Sequence, residues 1–257
     1  MNLVILFEDD FLPGGGRVRL GGRRLRHVLS VKRVGVGDTL RVGLLGGALG
    51  IGLVTALDGM VLEMDVALDT PPPPKAPLTL LMALPRPKAL NRAIAAATSL
   101  GAARIVLLNA WKVEKSYWQS GRLAEANLLH QRVLGLEQAA DTVLPELTLE
   151  RFFTPFVRDR LPGLSAGSTA LVADPSAGEP CPADVPGACT LALGPEGGFI
   201  PEELSALCRA GFRAVSMGPR ILRVETALAA LVGRLTPPTG PMNGAADVLG
   251  SGLPTNP

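Results

Sequence analysis

Four consecutive prolines, Pro71-Pro72-Pro73-Pro74, followed by Lys75-Ala76-Pro77, divide this chain of 257 residues. Proline lacks a backbone N–H and has a fixed φ, so such a run enters neither a helix interior nor a central strand. It takes extended polyproline geometry without internal hydrogen bonds and acts as a semi-rigid spacer. The spacing predicts one domain over residues 1–70, a linker over 71–77 and a second domain over 78–236. A hydrophobic fraction of 47% excludes a disordered chain, and the length is enough to bury a sizeable core.

Texture differs on the two sides of the spacer. Before it, short β-type runs (Leu3–Phe7, Thr39–Leu45, Leu49–Leu57, Val61–Leu68) are separated by the hairpin signals Gly46-Gly47 and Asp58-Gly59. About 70 residues of this kind suggest a small barrel. After it, strands alternate with helices. Leu78–Leu84, Ile105–Leu108, Ala170–Ala173 and Cys189–Leu193 are nearly continuous apolar runs, as expected of strands buried on both faces. Lys88–Leu100 and Leu123–Gln138 read as helices. In the second, Leu123, Ala126, Leu129, Val133 and Leu136 share one face at helical spacing. The alternation predicts an α/β domain with a mostly parallel sheet. The tail from Pro237 on, rich in Gly, Pro, Asn and Ser, is expected to be disordered.

The formal net charge of +2 hides an uneven distribution. From Arg17 to Arg41 eight basic residues (Arg17, Arg19, Arg23, Arg24, Arg26, Lys32, Arg33, Arg41) face one acid, Asp38. Guanidinium forks suit phosphates bidentately, so the stripe reads as an RNA-backbone footprint against the simpler alternative of a solvated barrel face. Aromatics are sparse, with only Phe7 and Phe11 before the spacer, so a base-stacking surface of the RRM kind is not expected there. Cys181, Cys189 and Cys208 are too few for a disulfide scaffold and lack metal-ligand spacing; they read as reduced thiols, and no metal is expected. The first ten residues lack a basic n-region, and no apolar run reaches the ~20 residues of a membrane span. A soluble, cytoplasmic protein is expected.

Two segments carry chemistry. In Leu191–Leu204 a buried strand runs into the glycine-rich turn Gly194-Pro195-Glu196-Gly197-Gly198-Phe199, and Pro201-Glu202-Glu203 then opens a helix. Loops at the carboxyl ends of parallel strands are where α/β domains bind ligands. The spacing is neither GxGxxG nor a Walker loop, and Glu196, Glu202 and Glu203 suit a cationic or neutral ligand better than a phosphate. In the second segment, Ser216–Ala227, a strand over Ala214–Met217 meets Gly218-Pro219, and a helix then runs through Leu235. Arg223, Glu225 and Thr226 stand in its early turns and are costly there unless paired or functional; an Arg223–Glu225 ion pair is the purely structural reading.

Together the segments resemble the RsmE family, the 16S rRNA uridine-N3 methyltransferases of the SPOUT superfamily. Its signature Gly-Pro-Glu-Gly-Gly-Phe stands at Gly194–Phe199, and its Gly-x-Arg-Ile-Leu-Arg-x-Glu-Thr-Ala run at Gly218–Ala227. His27-Val28, Val31-Lys32-Arg33 and Gly37-Asp38 are similar to the family's N-terminal motif. Thr98-Ser99-Leu100-Gly101, Glu137-Gln138 and Pro145-Glu146 extend the similarity, which reaches about Leu235.

The resemblance implies an N-terminal PUA-like β-barrel, a methyltransferase domain with a C-terminal trefoil knot, a homodimer, and S-adenosyl-L-methionine (SAM) as cofactor. It assigns Leu193, Gly194, Gly198, Met217, Gly218, Ile221 and Leu222 to the cofactor loops, with Leu84 and Pro85 at the adenine end. It makes Arg223 the group that stabilises a uracil anion or a phosphate, and Glu225 either its orienting partner or a candidate base. Arg24, His27 and Arg33 become the RNA-facing set, although His27 also fits a satisfied barrel position. The implied partner is 16S rRNA, in the small ribosomal subunit. Two departures stand out: Asp141 where the family has arginine, and Ser99 where it has glutamate. They keep open a different RNA site, and a non-catalytic RNA-binding or ribosome-assembly protein is the alternative from another class.

Overall fold

A computed structural model of the chain describes residues 2–32 and 34–236, so the tail from Pro237 lies outside the described residues. The first sheet has the order β1-β3-β4-β5-β2, from β1 (Val4–Leu6), β2 (Arg17–Leu20), β3 (Thr39–Leu44), β4 (Leu49–Leu57) and β5 (Leu62–Thr70). All neighbours are antiparallel except β1 and β3. Inward residues alternate along the strands: Val18 and Leu20, Leu40 and Val42, Leu62 and Met64 are buried in one core. The sequence reading missed β2 and a helix, α1 (Gly22–Lys32), whose Leu25 and Val28 complete that core. Both elements lie inside the basic stripe, where charge masks an apolar pattern of only a few residues.

Four of the stripe's eight cations form ion pairs, Arg24 with Asp10 among them. Arg17 pairs with Asp65 at 3.0 Å, Arg19 with Glu63 at 2.7 Å and Arg23 with Glu137 at 3.2 Å. The first two pairs follow from the antiparallel register of β2 on β5, which sets Arg17 opposite Asp65 and Arg19 opposite Glu63.

The second sheet is wholly parallel, in the order β11-β9-β10-β6-β7-β8. Its strands are β6 (Ala76–Ala83), β7 (Ala102–Leu108), β8 (Glu146–Glu150), β9 (Thr169–Ala173), β10 (Cys189–Leu193) and β11 (Arg213–Val215). Helices α2 (Pro87–Ser99) and α3 (Glu125–Ala139) follow β6 and β7. After β8, α4 (Phe153–Pro155), a π turn (Phe156–Arg160) and α5 (Leu161–Ser165) run on from one another; α6 (Pro201–Arg209) follows β10 and α7 (Val224–Leu235) follows β11. The continuous apolar runs are explained by two-sided burial. Leu80, Met82, Ile105 and Leu191 pack on Leu90, Ile94, Leu228 and Leu231 of α2 and α7, whereas Leu81, Val106 and Ala192 pack on Phe156, Leu161, Leu207 and Phe212. Beginning at Ala76, β6 takes in two residues of the expected linker.

Helix α3 has two buried faces. A Cβ on Gly135 would come 2.6 Å from the Ala95 carbonyl oxygen, so α2 and α3 approach closely only because that position is glycine. Its other stripe, Val133 and Leu136 with Leu129 beside them, packs on Leu3, Ile5 and Leu49 of the first sheet. Ala126, expected on that stripe, is exposed, because the contact begins only at the second turn, with Leu129. Backbone bonds reinforce this junction. The amides of Asn2 and Leu3 donate to the Glu137 carbonyl, and Gly46 N donates to Thr142 O.

At the same place Asp141 accepts from Lys75 Nζ at 2.6 Å and from Val143 N at 2.9 Å, almost fully buried. The departure from arginine is therefore a buried ion pair with the proline-rich segment. Ser99, the other departure, donates from Oγ to the carbonyls of Ala95 and Gly135 and so stays within the α2–α3 contact.

Residues 174–188 cross the sheet's carboxyl edge. Cys181 N donates to Ser216 O, Ser216 N to Glu179 O, and Asp184 N and Val185 N to the last carbonyls of α7, Arg234 O and Leu235 O. Burial pushes the Cys181 thiol up and raises Cys189 to about 11, while Cys208 on α6 is exposed. Because the thiolate is the reactive form, about one thiol per native chain is expected to react rapidly with Ellman's reagent at mildly alkaline pH, and all three after unfolding. Rapid reaction of more than one in the native protein would contradict this packing.

Candidate functional site

The strands β9, β10 and β11 end in register, with Leu193 beside Ala173 and Ala173 beside Val215. Next to β10 lies β6, from which the chain runs outward in the opposite direction, so this edge is a topological switch point of the kind that binds ligands. A cleft opens there. Its enclosed part holds about 110 Å³, and the remainder is open to solvent.

Its first wall is the glycine-rich turn. Gly198 closes a tight turn by donating to Pro195 O at 2.8 Å, with φ +70, a conformation glycine adopts freely. The turn is tied from outside: Glu196 Oε1 accepts from Arg86 N at 3.1 Å, and Lys112 Nζ donates to Gly197 O at 2.6 Å. Glu203 is buried and points away from the cleft. Its Oε2 accepts from Ile200 N and its Oε1 from Trp111 N at 2.7 Å, fastening α6 to the loop after β7. Of the three acids read as ligand-facing, only Glu196 lines the cleft.

The second wall runs from Val215 to Val224. Ser216 Oγ accepts from Gly218 N at 3.0 Å, and Gly218 takes φ +98 to reverse the chain. Met217, Gly218, Arg220, Ile221 and Leu222 face the cleft, and Asp174, Ala227 and Leu231 also line it. Seven of the nine expected cofactor residues thus converge: Leu193, Gly194, Gly198, Met217, Gly218, Ile221 and Leu222. Leu84 and Pro85 do not line it. Both are buried at the end of β6, and they adjoin the glycine-rich turn through the neighbouring Arg86–Glu196 bond. The sequence reading missed Asp174, whose signal is its place directly after β9.

Arg223 caps α7 between two lining residues, Leu222 and Val224; it is exposed, and its guanidinium makes no hydrogen bond among the described residues. Its expected pairing with Glu225 is replaced. Glu225 bonds Arg92 of α2 at 3.0 and 3.2 Å. The Glu225 carboxyl is held below the usual carboxylate range by its own backbone N–H, then by Arg92 and the field of Arg223.

In the first sheet, Arg24 is spent internally. It bonds Asp10 and the Ile5 carbonyl and lies 4.9 Å over the Phe7 ring. His27 is half-buried with Nε2 shielded and unpartnered, and Arg33 lies outside the described residues. Of the three, Arg24 is therefore engaged within its own sheet.

A family model described as the RNA methyltransferase domain matches residues 71–236. Ribosomal RNA small subunit methyltransferase E of Mycobacterium bovis is 30% identical over 241 residues, spanning 90% of each chain. The chain belongs to this family. The family enzyme of Treponema pallidum is 28% identical, over 90% of this chain and 88% of its own. Among solved structures, ribosomal RNA small subunit methyltransferase E from Neisseria gonorrhoeae, bound to S-adenosyl methionine, superimposes with a TM-score of 0.68 at 23% identity, covering 90% of this chain and 95% of that one. A methyltransferase from Legionella pneumophila in complex with SAM gives 0.67 at 22%, covering 90% and 95%. These two likenesses establish the methyltransferase fold of the RsmE relatives for this chain. Among the described residues, no helix is long and apolar enough to cross a membrane.

Proposed function

We propose that this chain is a SAM-dependent rRNA methyltransferase that methylates N3 of a uridine in 16S rRNA of the small ribosomal subunit. The observation that carries the reading is the convergence of Gly194–Gly198 and Met217–Leu222 on one cleft. The lining fits the cofactor. Apolar walls from Leu193, Val215 and Leu231 suit an adenosine body, and two acids against one arginine, Arg220, give the cleft a negative balance that favours a sulfonium cation. Bound there, the cofactor supplies an electrophilic methyl group on sulfur.

The chain's own residues do the rest. The two loops fix the approach of base to donor, which supplies much of the rate. Arg223, whose guanidinium makes no hydrogen bond among the described residues, neutralises the negative charge that develops on uracil as N3 gives up its proton to solvent water and takes the methyl group. Glu225 is a positioning residue: a carboxyl held ionised below its ordinary range is a weak base near neutrality, and its bonds to Arg92 fix the start of α7. The target uridine must be unpaired, since N3 lies on its Watson–Crick edge.

The finer architecture belongs to the same proposal. Residues 1–70 form the PUA-like RNA-binding domain and 78–236 the SPOUT domain, joined by 71–77. The crossing segment 174–188, bonded to Ser216 and to the end of α7, supports a trefoil knot around the cofactor loops. Ile221, 85% exposed at the rim, supports a homodimer in which a second copy covers that rim. An enzyme of the small ribosomal subunit works in the cytoplasm.

Calorimetric titration tests the cofactor reading. SAM is expected to bind with a Kd in the micromolar range, about −8 kcal/mol, while ATP and NAD show no heat. Binding of ATP or NAD without SAM would overturn it.

A further inference from the structure

A second cleft lies beyond the glycine-rich turn, at the carboxyl ends of β7 and β8, and it holds both tryptophans of the chain. Trp118 forms its back: the indole Nε1 donates to Asn109 Oδ1 at 2.8 Å, and the Arg151 guanidinium lies 5.2 Å over the ring. Trp111 and Phe152 flank the opening with 79% and 71% of their surface exposed. Lys115 and Arg151 put two cations at the opening. Only 4% of the chain is aromatic, so two large aromatic side chains left in water at one cleft are a costly and specific placement.

The cleft is tied to the methyl-donor site. Trp111 N is held by Glu203 at the start of α6, and the next residue, Lys112, bonds Gly197 O in the cofactor turn. Flat π-faces interleaved with guanidinium and ammonium groups match a nucleobase and its phosphate. We infer that this Trp111–Trp118–Phe152 cleft stacks an unpaired RNA nucleotide flanking the target uridine and holds its phosphate with Arg151 and Lys115, so that the neighbouring uridine is delivered to the SAM cleft. The inference rests on the function proposed above and adds to it the site that reads single-stranded RNA beside the target.

Both tryptophans being in the cleft gives a direct readout. Titrating the full chain with a single-stranded RNA decamer carrying one central uridine is expected to quench the tryptophan emission. A decamer with abasic sites flanking that uridine, or inorganic polyphosphate, quenches little. Phe152→Ala and Trp111→Ala, both at exposed positions, are each expected to weaken decamer binding by about 5- to 100-fold, the range of one lost base–aromatic stack. Their SAM affinity, read by calorimetry, stays at the wild-type value, and kcat/KM falls through KM. Equal quenching by the abasic decamer, or wild-type RNA affinity in both variants, overturns the inference. A change of oligomeric state in sedimentation with RNA affinity unchanged overturns it too, and makes the cleft a protein contact. These failures are separate from failure of the underlying function, which shows as absent SAM binding or absent methyl transfer by the wild-type protein.

Discussion

Arg223→Ala is expected to lower kcat by about 100- to 1,000-fold, the effect of removing one preorganised charge at a developing anion. SAM affinity should change by less than about threefold, because the cleft is built by the residues on either side of Arg223 and not by its guanidinium. The side chain is exposed and unpaired among the described residues, so its removal should leave the fold intact. Glu225→Gln is the informative companion. A glutamine can still accept from Arg92, so a positioning role predicts a loss of only about tenfold and an unchanged pH–rate profile. A missing limb in that profile would instead make Glu225 the base. Wild-type turnover in Arg223→Ala with SAM bound would remove Arg223 from the chemistry.

The largest effect on stability is expected from Asp141→Arg, the change that restores the residue usual in the family. It sets a second cation against Lys75 Nζ in a nearly water-free site and deprives Val143 N of its acceptor. Leaving a buried charge uncompensated costs about 3–5 kcal/mol. For a chain of this size that lowers Tm by about 10 °C, readable by calorimetry or urea titration. The reciprocal variant Lys75→Asp with Asp141→Arg should recover most of the loss, since the pair is restored with its signs exchanged. A single Asp141→Arg variant as stable as wild type would contradict the buried pair, and gain of activity on its part would return Asp141 to the substrate question.

The sequence made the parallel sheet legible because two-sided burial leaves an unmistakable trace. The runs at Leu78–Leu84 and Cys189–Leu193 carry no polar face, and the structure puts helices on both sides of them. The cleft at the strand ends was legible for a similar reason. Glycines at Gly198 and Gly218 mark backbone reversals directly after strands, and strand ends in parallel register bring such turns together. Pairing was not legible. Arg17 and Arg19 look like free cations until the register of β2 on β5 sets acids opposite them, and Arg24 until Asp10 folds back onto α1. Glu225 has Arg223 two residues away in sequence, yet its partner is Arg92 on another helix. The aromatic cleft was hidden by composition: ten aromatics in the whole chain say nothing about two tryptophans and a phenylalanine meeting at one sheet edge.

The most direct test of the proposed activity is methyl transfer itself: small ribosomal subunits from a strain lacking this methylation, offered to the protein with labelled SAM. About one methyl group per subunit is expected, on N3 of a single uridine of 16S rRNA, with loss of the transfer in Arg223→Ala. Label on another position of the base, or SAM bound with no transfer to any rRNA, would contradict it.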